Sequence, residues 1–203
     1  VLLLRGELLA DEAPAAAITT ARQVQAIARQ SGLLQAEVEA WDLLGRLAVR
    51  EGKVEEAVAE LEAGIVRLRR VGERIAAGQL LATLGRLLRE SGDLDAARRA
   101  YLEALSLEST GQEPFARIAR AGLALLAGLG RDAAALRLLV DSTRQTLEPG
   151  EAAFWSLLRQ LSELLNGGQR RPVDPRLAQT AAQSSPDGRL AAELLHRELH
   201  SSG

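Results

Sequence analysis

Apolar residues recur along the chain at the spacing of a helix surface. In three places, four apolar or glycine residues fall at positions i, i+3, i+4 and i+7, which lie on one face of an α-helix. A fourth, looser stripe has a polar residue at its i+7 position. No segment alternates apolar and polar residues for long enough to predict a β-strand. The stripes are Trp41, Leu44, Gly45 and Ala48; Leu81, Leu84, Gly85 and Leu88; Ile118, Ala121, Gly122 and Leu125; and Trp155, Leu158, Leu161 and Leu165.

The stripes are parts of a longer repeat. Their starts are 40, 37 and 37 residues apart, and a glycine marks the turn inside each of the first three pairs, at Gly52, Gly92 and Gly130. A period near 40 in helical pairs is typical of an α-solenoid, in which stacked neighbours bury a shared core. A second helix with a small residue near its start follows each of the first three stripes. The small residues and their partners are Ala57 with Leu61, Ala97 with Tyr101, and Ala134 with Leu138.

Helix-breaking residues predict where the repeats end. The sequence Asn166-Gly167-Gly168 stops the array, and a linker over residues 169–175 follows it. We therefore divide the chain into helical repeats over residues 1–166 and a linker with C-terminal capping helices over residues 167–203. Residues 1–9 are interpreted as the remnant of an earlier inner helix. The other predicted helices are residues 13–31, 33–51, 53–71, 73–91, 93–108, 113–129, 131–147, 149–166, 175–183 and 187–200.

Composition excludes several classes of protein. The 203 residues include no Cys, so disulfide frameworks and thiolate metal sites are excluded. The net charge of −2 gives no basic surplus for nucleic acid, and no run approaches the roughly 18 apolar residues of a membrane span. We expect neither nucleic acid nor membrane as a partner, no cofactor, and a cytoplasmic location.

The first two stripes, together with the helices that follow them, resemble the tetratricopeptide repeat. The pattern of that repeat is Trp-x2-Leu-Gly-x2-Tyr followed by Ala-x3-Phe. Residues 41–48 with 57–61 match it closely, and residues 81–88 with 97–101 match it again. A third match, over residues 118–138, is degenerate, and a fourth keeps only part of its first helix. The repeats are longer than the standard 34 residues. In this they are similar to long-helix variants found in kinesin light chains, spindle-orientation scaffolds and the sensor arms of bacterial signalling ATPases and transcriptional activators.

The resemblance implies a fold and a kind of function. The expected fold is all-α: a right-handed α-solenoid of antiparallel helix pairs, with about four units plus a C-terminal capping segment. The expected function is a non-catalytic protein–protein interaction module that binds a peptide or protein segment in its concave groove, which the first helix of each pair lines. A bacterial regulatory protein is the expected context, and a homodimer is left open. One alternative is a sensor domain that binds a small effector or signalling peptide in a transcriptional regulator or signalling ATPase. Another is an enzyme with an unrecognised site.

Two arginines are the centre of the predicted groove. Arg46 and Arg86 occupy the same position in successive repeats, off the packed stripe, and guanidinium groups bind carboxylates in a bidentate manner. A ligand with acidic side chains or a free C-terminus would suit them. The alternative is a solvated helix surface with i, i+4 ion pairs, such as Arg46 with Asp42. The predicted ligand-binding residues are Glu39, Asp42, Arg46, Arg50, Gln79, Arg86 and Arg89. The equivalent third-repeat positions form an apolar patch expected to be covered by a partner or by the tail: Ala116, Ala119, Leu123 and Leu126.

Other candidate chemistry is weak. His196 and His200 have helical metal-binding spacing but no evident third ligand, so we predict no metal site. The basic run that contains Arg67, Arg69 and Arg70 is interpreted as a solvated helix end. With no glycine-rich phosphate loop, no Gly-x-Ser-x-Gly motif and no Cys nucleophile, we predict no catalytic residues and no enzyme.

Two groups of residues are expected to be buried. The tail helix presents an apolar stripe that suits a cap on the end of the array, with the groove or a second chain as the alternative docking place. The stripe consists of Leu190, Ala191, Leu194 and Leu195. The residues expected in the repeat core are Trp41, Leu44, Leu61, Leu81, Leu84, Leu88 and Tyr101.

Overall fold

The computed structural model describes residues 13–110, 113–143, 149–169 and 171–201. Within these residues the protein has ten α-helices and no strand, and helix accounts for 83% of them. The helix expected over residues 1–9 lies outside the described residues. The helices are α1 (Pro14–Ser31), α2 (Leu34–Glu51), α3 (Val54–Arg70), α4 (Arg74–Ser91), α5 (Leu94–Ser106), α6 (Pro114–Leu129), α7 (Ala133–Asp141), α8 (Pro149–Leu165), α9 (Pro175–Ser184) and α10 (Pro186–His200).

Most of these bounds fall within two residues of the predicted ones. The main difference is α7, which ends at Asp141 instead of continuing to residue 147, and part of the remaining segment lies outside the described residues. The turns inside the first two pairs are as predicted, because Gly52 and Gly92 are left-handed, with φ of 72° and 95°. Such a conformation carries no steric penalty in glycine.

The described residues fold as two compact units, divided between residues 119 and 120. In the first unit each helix from α1 to α4 packs on the next one, and α2 also packs on α4. The first helices of successive pairs are therefore neighbours, which is the packing of an all-α solenoid of helix pairs.

The core of the first unit contains the residues expected from the first two stripes, with one exception. Trp41, Leu44, Leu61, Leu81, Leu84 and Tyr101 are buried. Leu88 is only partly buried, and Leu87 beside it is buried instead. The reason is that α2 and α4 pack against each other as well as against the second helices. Each therefore buries a second stripe, which includes Leu47 and Leu87.

The second unit is organised around α8. Helices α7, α9 and α10 all pack on it, and α9 packs on α10. Residues of the predicted tail stripe join the core, since Ala191, Leu194 and Leu195 are buried and Leu190 packs against them. Trp155 and Leu158 of the fourth stripe lie in the same core, so the tail covers α8 rather than standing free.

The predicted register of the third repeat is wrong by two residues. The left-handed residue at the end of α6 is Arg131, with φ of 55°, and not Gly130. Counted from that turn, Leu136 and Val140 take the places of Ala57 and Leu61, and both are buried. The residues expected there and in the third stripe include Leu138 and Ile118, which are exposed.

Candidate functional site: the face formed by α2 and α4

Two polar residues on α2 and two on α4 lie where these helices, the first of successive pairs, pack together. Asp42 and Arg46 are four residues apart on α2, and Thr83 and Arg86 are three apart on α4. Residues three or four apart lie on the same side of a helix. Because α2 packs on α4, the two pairs meet across the boundary between the repeats.

Asp42 is the centre of this cluster. Its Oδ1 accepts hydrogen bonds from the Thr83 hydroxyl, at 2.8 Å, and from Arg86 Nη2, at 2.7 Å. Its Oδ2 lies 3.2 Å from Arg46 Nε. The two arginines therefore share one carboxylate. We call these four residues, Asp42, Arg46, Thr83 and Arg86, the aspartate–arginine cluster.

The cluster is neither deeply buried nor fully solvated. The side chains of Asp42 and Arg86 are 32% and 29% exposed, and that of Arg46 is 44% exposed. Partial burial reduces solvent screening relative to an open surface pair. It also leaves both arginine side chains partly accessible to solvent.

The other predicted binding residues do not join the cluster in the described structure. Glu39 is exposed and accepts a hydrogen bond from Gln35, at 3.2 Å. Arg50 is exposed near the end of α2. Arg89 is buried, with Nη2 3.7 Å from a Glu90 oxygen, so it is not presented to a ligand as expected.

Gln79 is half-buried, and its side-chain oxygen has no hydrogen-bond partner within the described part of the chain. Thr83 is the cluster member that the sequence did not reveal. A neutral hydroxyl gives no charge pattern, and only its position opposite Asp42 shows its role.

The expected apolar patch of the third repeat is not an open surface. Ala116 and Ala119 are buried in the first unit, and Leu123 and Leu126 are buried in the second. The slip in register explains why they are buried without a partner, because these positions do not correspond to the exposed side of α2 and α4.

A second charged cluster in the first unit holds helices together. Glu37 on α2 is 1% exposed and pairs with Arg29 on α1, at 3.0 Å, and with Arg67 on α3. Arg69 pairs with Glu103 on α5. Arg67 and Arg69 are thus engaged in ion pairs between helices, and the expectation of a merely solvated helix end was wrong for them.

The second unit has a cleft of its own. It has a volume of about 510 Å³ and lies beside the ends of α7 and α8, with Arg137, Arg159 and Arg171 on its walls. Asp141 and Glu163 also line it, so its charges are mixed. The negative ends of two helix dipoles disfavour a simple anion here.

The described residues contain no candidate metal centre and no candidate membrane span. No three metal-ligating side chains of His, Cys, Asp or Glu come together in that part of the chain. The rings of His196 and His200 are 4.3 Å apart between centroids, as their spacing predicts. None of the described helices is both long enough and apolar enough to cross a bilayer.

Comparison with known proteins identifies one part of the chain. Residues 78–110 match the family model of the tetratricopeptide repeat. This segment covers most of α4 and all of α5, and it includes Thr83 and Arg86. No curated protein and no solved structure matches the chain. The match and the packed helix pairs support a tetratricopeptide-like helical repeat protein. Repeats of this type serve in general as protein–protein interaction modules and are generally non-catalytic scaffolds.

Proposed function

We propose that the chain is the interaction module of a bacterial regulatory protein, and that the face formed by α2 and α4 binds an acidic peptide or a protein C-terminus. One observation carries this proposal. Arg46 and Arg86, equivalent residues of successive repeats, reach the same carboxylate. The spacing of the repeats therefore allows two guanidinium groups to bind one acidic group.

The charge of the cluster favours an anionic ligand. Two guanidinium groups face one aspartate, which leaves a net charge of +1 at neutral pH. Both arginines are partly exposed. Guanidinium donors hold carboxylates with fixed geometry, and hydrogen bonds between charged groups are about twice as strong as neutral ones. An acidic segment lying along the face can thus contact both repeats at once.

The test is binding of a fluorescein-labelled hexaglutamate peptide, measured by fluorescence anisotropy, with labelled hexaglutamine as the comparison peptide. We expect hexaglutamate to bind and the double variant Arg46→Ala/Arg86→Ala to lose at least tenfold in affinity, equivalent to about 1.4 kcal/mol. The melting temperature should change little, because partly exposed ion pairs contribute about 0–1 kcal/mol each.

The matched control removes the same charge elsewhere in the unit. Arg98 and Arg99 are exposed on α5, and neither belongs to the cluster. Arg98→Ala/Arg99→Ala should bind hexaglutamate like the parent chain. Equal losses in the two double variants would mean that only net charge matters, and the proposal would be wrong.

A second candidate function is a sensor that binds a small effector, and the cleft in the second unit favours it. A volume of about 510 Å³ lies within the usual range of small-ligand sites. Since arginines and carboxylates line the cleft together, a zwitterionic molecule such as a free amino acid fits its charges. Calorimetric titration with glutamate and arginine tests this, and Arg159→Glu should abolish any heat of binding that arises in the cleft.

A further inference from the structure

We infer that Asp42 is an internal competitor for the ligand, occupying the two arginines until a stronger acidic group displaces it. This inference rests on the proposed function of the face. It assigns Asp42 a regulatory role, in contrast to a direct contact with the ligand.

Both oxygens of Asp42 are already engaged. One accepts from Thr83 and Arg86, and the other faces Arg46 at 3.2 Å. These are the donors that an incoming carboxylate would need. An acidic ligand must therefore exchange with Asp42, and the negative charge of Asp42 repels it during the approach.

The repeat itself does not require an acid at this position. The residue at the same place in the next repeat, 40 positions later, is Ala82, which is fully buried. The arginine is present in both repeats, but the aspartate is present only in the first of the two. Asp42 is thus an addition to the repeat pattern at the point where the two arginines meet.

Competition has a consequence for specificity. Exchange of one carboxylate for another of equal strength gives little net gain. Ligands that bring several carboxylates, or that also contact neighbouring groups, gain enough binding free energy to displace Asp42. Asp42 therefore favours segments rich in acidic residues over single acidic side chains.

The test compares Asp42→Asn and Asp42→Ala with the parent chain, using labelled hexaglutamate at low salt. Asn keeps the shape and removes the charge, whereas Ala empties the position. We expect both variants to bind about three- to tenfold more tightly, since one or two partly exposed ion pairs and one repulsion are removed. The gain should shrink in about 0.5 M salt, where charges are screened beyond a few ångströms.

Glu62→Gln serves as the matched control. Glu62 is exposed on α3, so the substitution changes the net charge by the same amount outside the cluster. Thermal melting followed by circular dichroism verifies that every variant is folded. Tighter binding by both Asp42 variants, with no comparable gain for Glu62→Gln, would support the competitor role.

The outcomes separate this inference from the proposed function. If the parent chain binds hexaglutamate through its arginines but the Asp42 variants bind equally or more weakly, Asp42 positions the arginines and the competitor role is wrong. If neither the parent nor the Asp42 variants bind, the proposed function fails and the competitor role fails with it. Binding only by the Asp42 variants would support the competitor role and contradict the expectation that the parent chain binds hexaglutamate.

Discussion

At the scale of single residues, the two glycines at one repeat position have different surroundings. A Cβ added at Gly85 would lie 2.6 Å from ring atoms of Tyr101, whereas a Cβ at Gly45 would have ordinary contacts of 3.6–3.7 Å with three side chains. The two glycines are 40 residues apart and occupy the same place in their repeats. The difference comes from the second helix, which supplies Tyr101 in one repeat and Leu61 in the other.

The two glycines therefore differ in their expected response to alanine. Gly85→Ala should destabilise the protein by about 1–3 kcal/mol, because the ring of Tyr101 is buried and cannot move aside freely. Gly45→Ala should be neutral or stabilising by up to about 1 kcal/mol, since alanine is the better helix former. Urea unfolding of both variants measures the contrast. Similar free energies of unfolding would contradict the packing of Tyr101 on Gly85.

A second residue, Glu113, gives the protein a pH-dependent contribution to stability. Hydrogen bonds from the Ser109 hydroxyl and from the backbone N–H of Thr110 and Ser109 hold the pKa of the Glu113 carboxyl well below its ordinary value. The charged form is therefore preferred in the folded chain. This contribution is complete above the unfolded-state pKa of about 4.3 and is lost as the pH falls through the lower folded-state pKa.

Glu113→Gln should reveal this contribution. The variant should be less stable than the parent chain at pH 7, and the difference should narrow as the pH is lowered from 5 towards 3. Chemical unfolding at a series of pH values provides the measurement. A difference that stays constant over this range would show that the carboxylate charge is not involved.

At the scale of helices, periodicity predicted the elements well because the turns and the buried stripes both leave a clear pattern in the sequence. The first two repeats keep a glycine at the turn and an apolar stripe before it, so helix bounds and core residues such as Trp41 and Tyr101 were predicted correctly. The third repeat was misaligned because Gly130 resembles the expected turn glycine. The left-handed residue is Arg131, and nothing in the chemistry of an arginine predicts that conformation.

The candidate site was predictable only in part, because a sequence pattern shows positions within a helix and not contacts between helices. Spacing brought Arg46 and Arg86 to attention, since both lie off the packed stripe at the same repeat position. The contact between Asp42 and Thr83 depends on how α2 packs on α4, which a single helix pattern does not contain. The binding of a ligand there stays a prediction.

The corrected register of α7 leads to a direct comparison between two leucines. Leu136 is fully buried and Leu138 is 73% exposed. Leu136→Ala should cost about 2–5 kcal/mol of stability, whereas Leu138→Ala should change it by no more than about 0.5 kcal/mol. Equilibrium unfolding of the two variants is the measurement. A larger loss at Leu138 would restore the register first expected from the sequence.

At the scale of the whole molecule, two compact units share one kind of construction. In each, the helices with more than one buried face are covered by their neighbours. These helices are α2 and α4 in the first unit and α8 in the second. Helical repeats cannot bury their apolar faces alone and need a terminal element with a polar outer side. We propose that α9 and α10 provide this cover for α8, which would make residues 167–203 a linker and cap, as the sequence suggested.

Removal of residues 172–203 tests the cap. The deletion removes α9 and α10 and exposes part of a core that includes Leu157, Leu158 and Leu161. At about 25 cal/mol per Å² of exposed apolar surface, we expect a loss of several kcal/mol or aggregation. Thermal melting and size-exclusion chromatography measure these effects. A shortened chain that is equally stable, soluble and monomeric would show that the tail is no cap.

Point substitutions distinguish a cap from a tail whose deletion merely damages the chain. Leu194 is buried against α8 and approaches the position of Gly128 on α6, while its neighbour Glu193 is exposed. Leu194→Ala should cost about 2–5 kcal/mol, as expected for a buried leucine, and Glu193→Ala should be close to neutral. If α10 frays from α8 in solution, both substitutions will have the same small effect on urea unfolding. A large effect confined to Leu194 would show that the tail stabilises the second unit through its apolar stripe, because the two residues are adjacent in sequence and differ in the side of the helix they occupy.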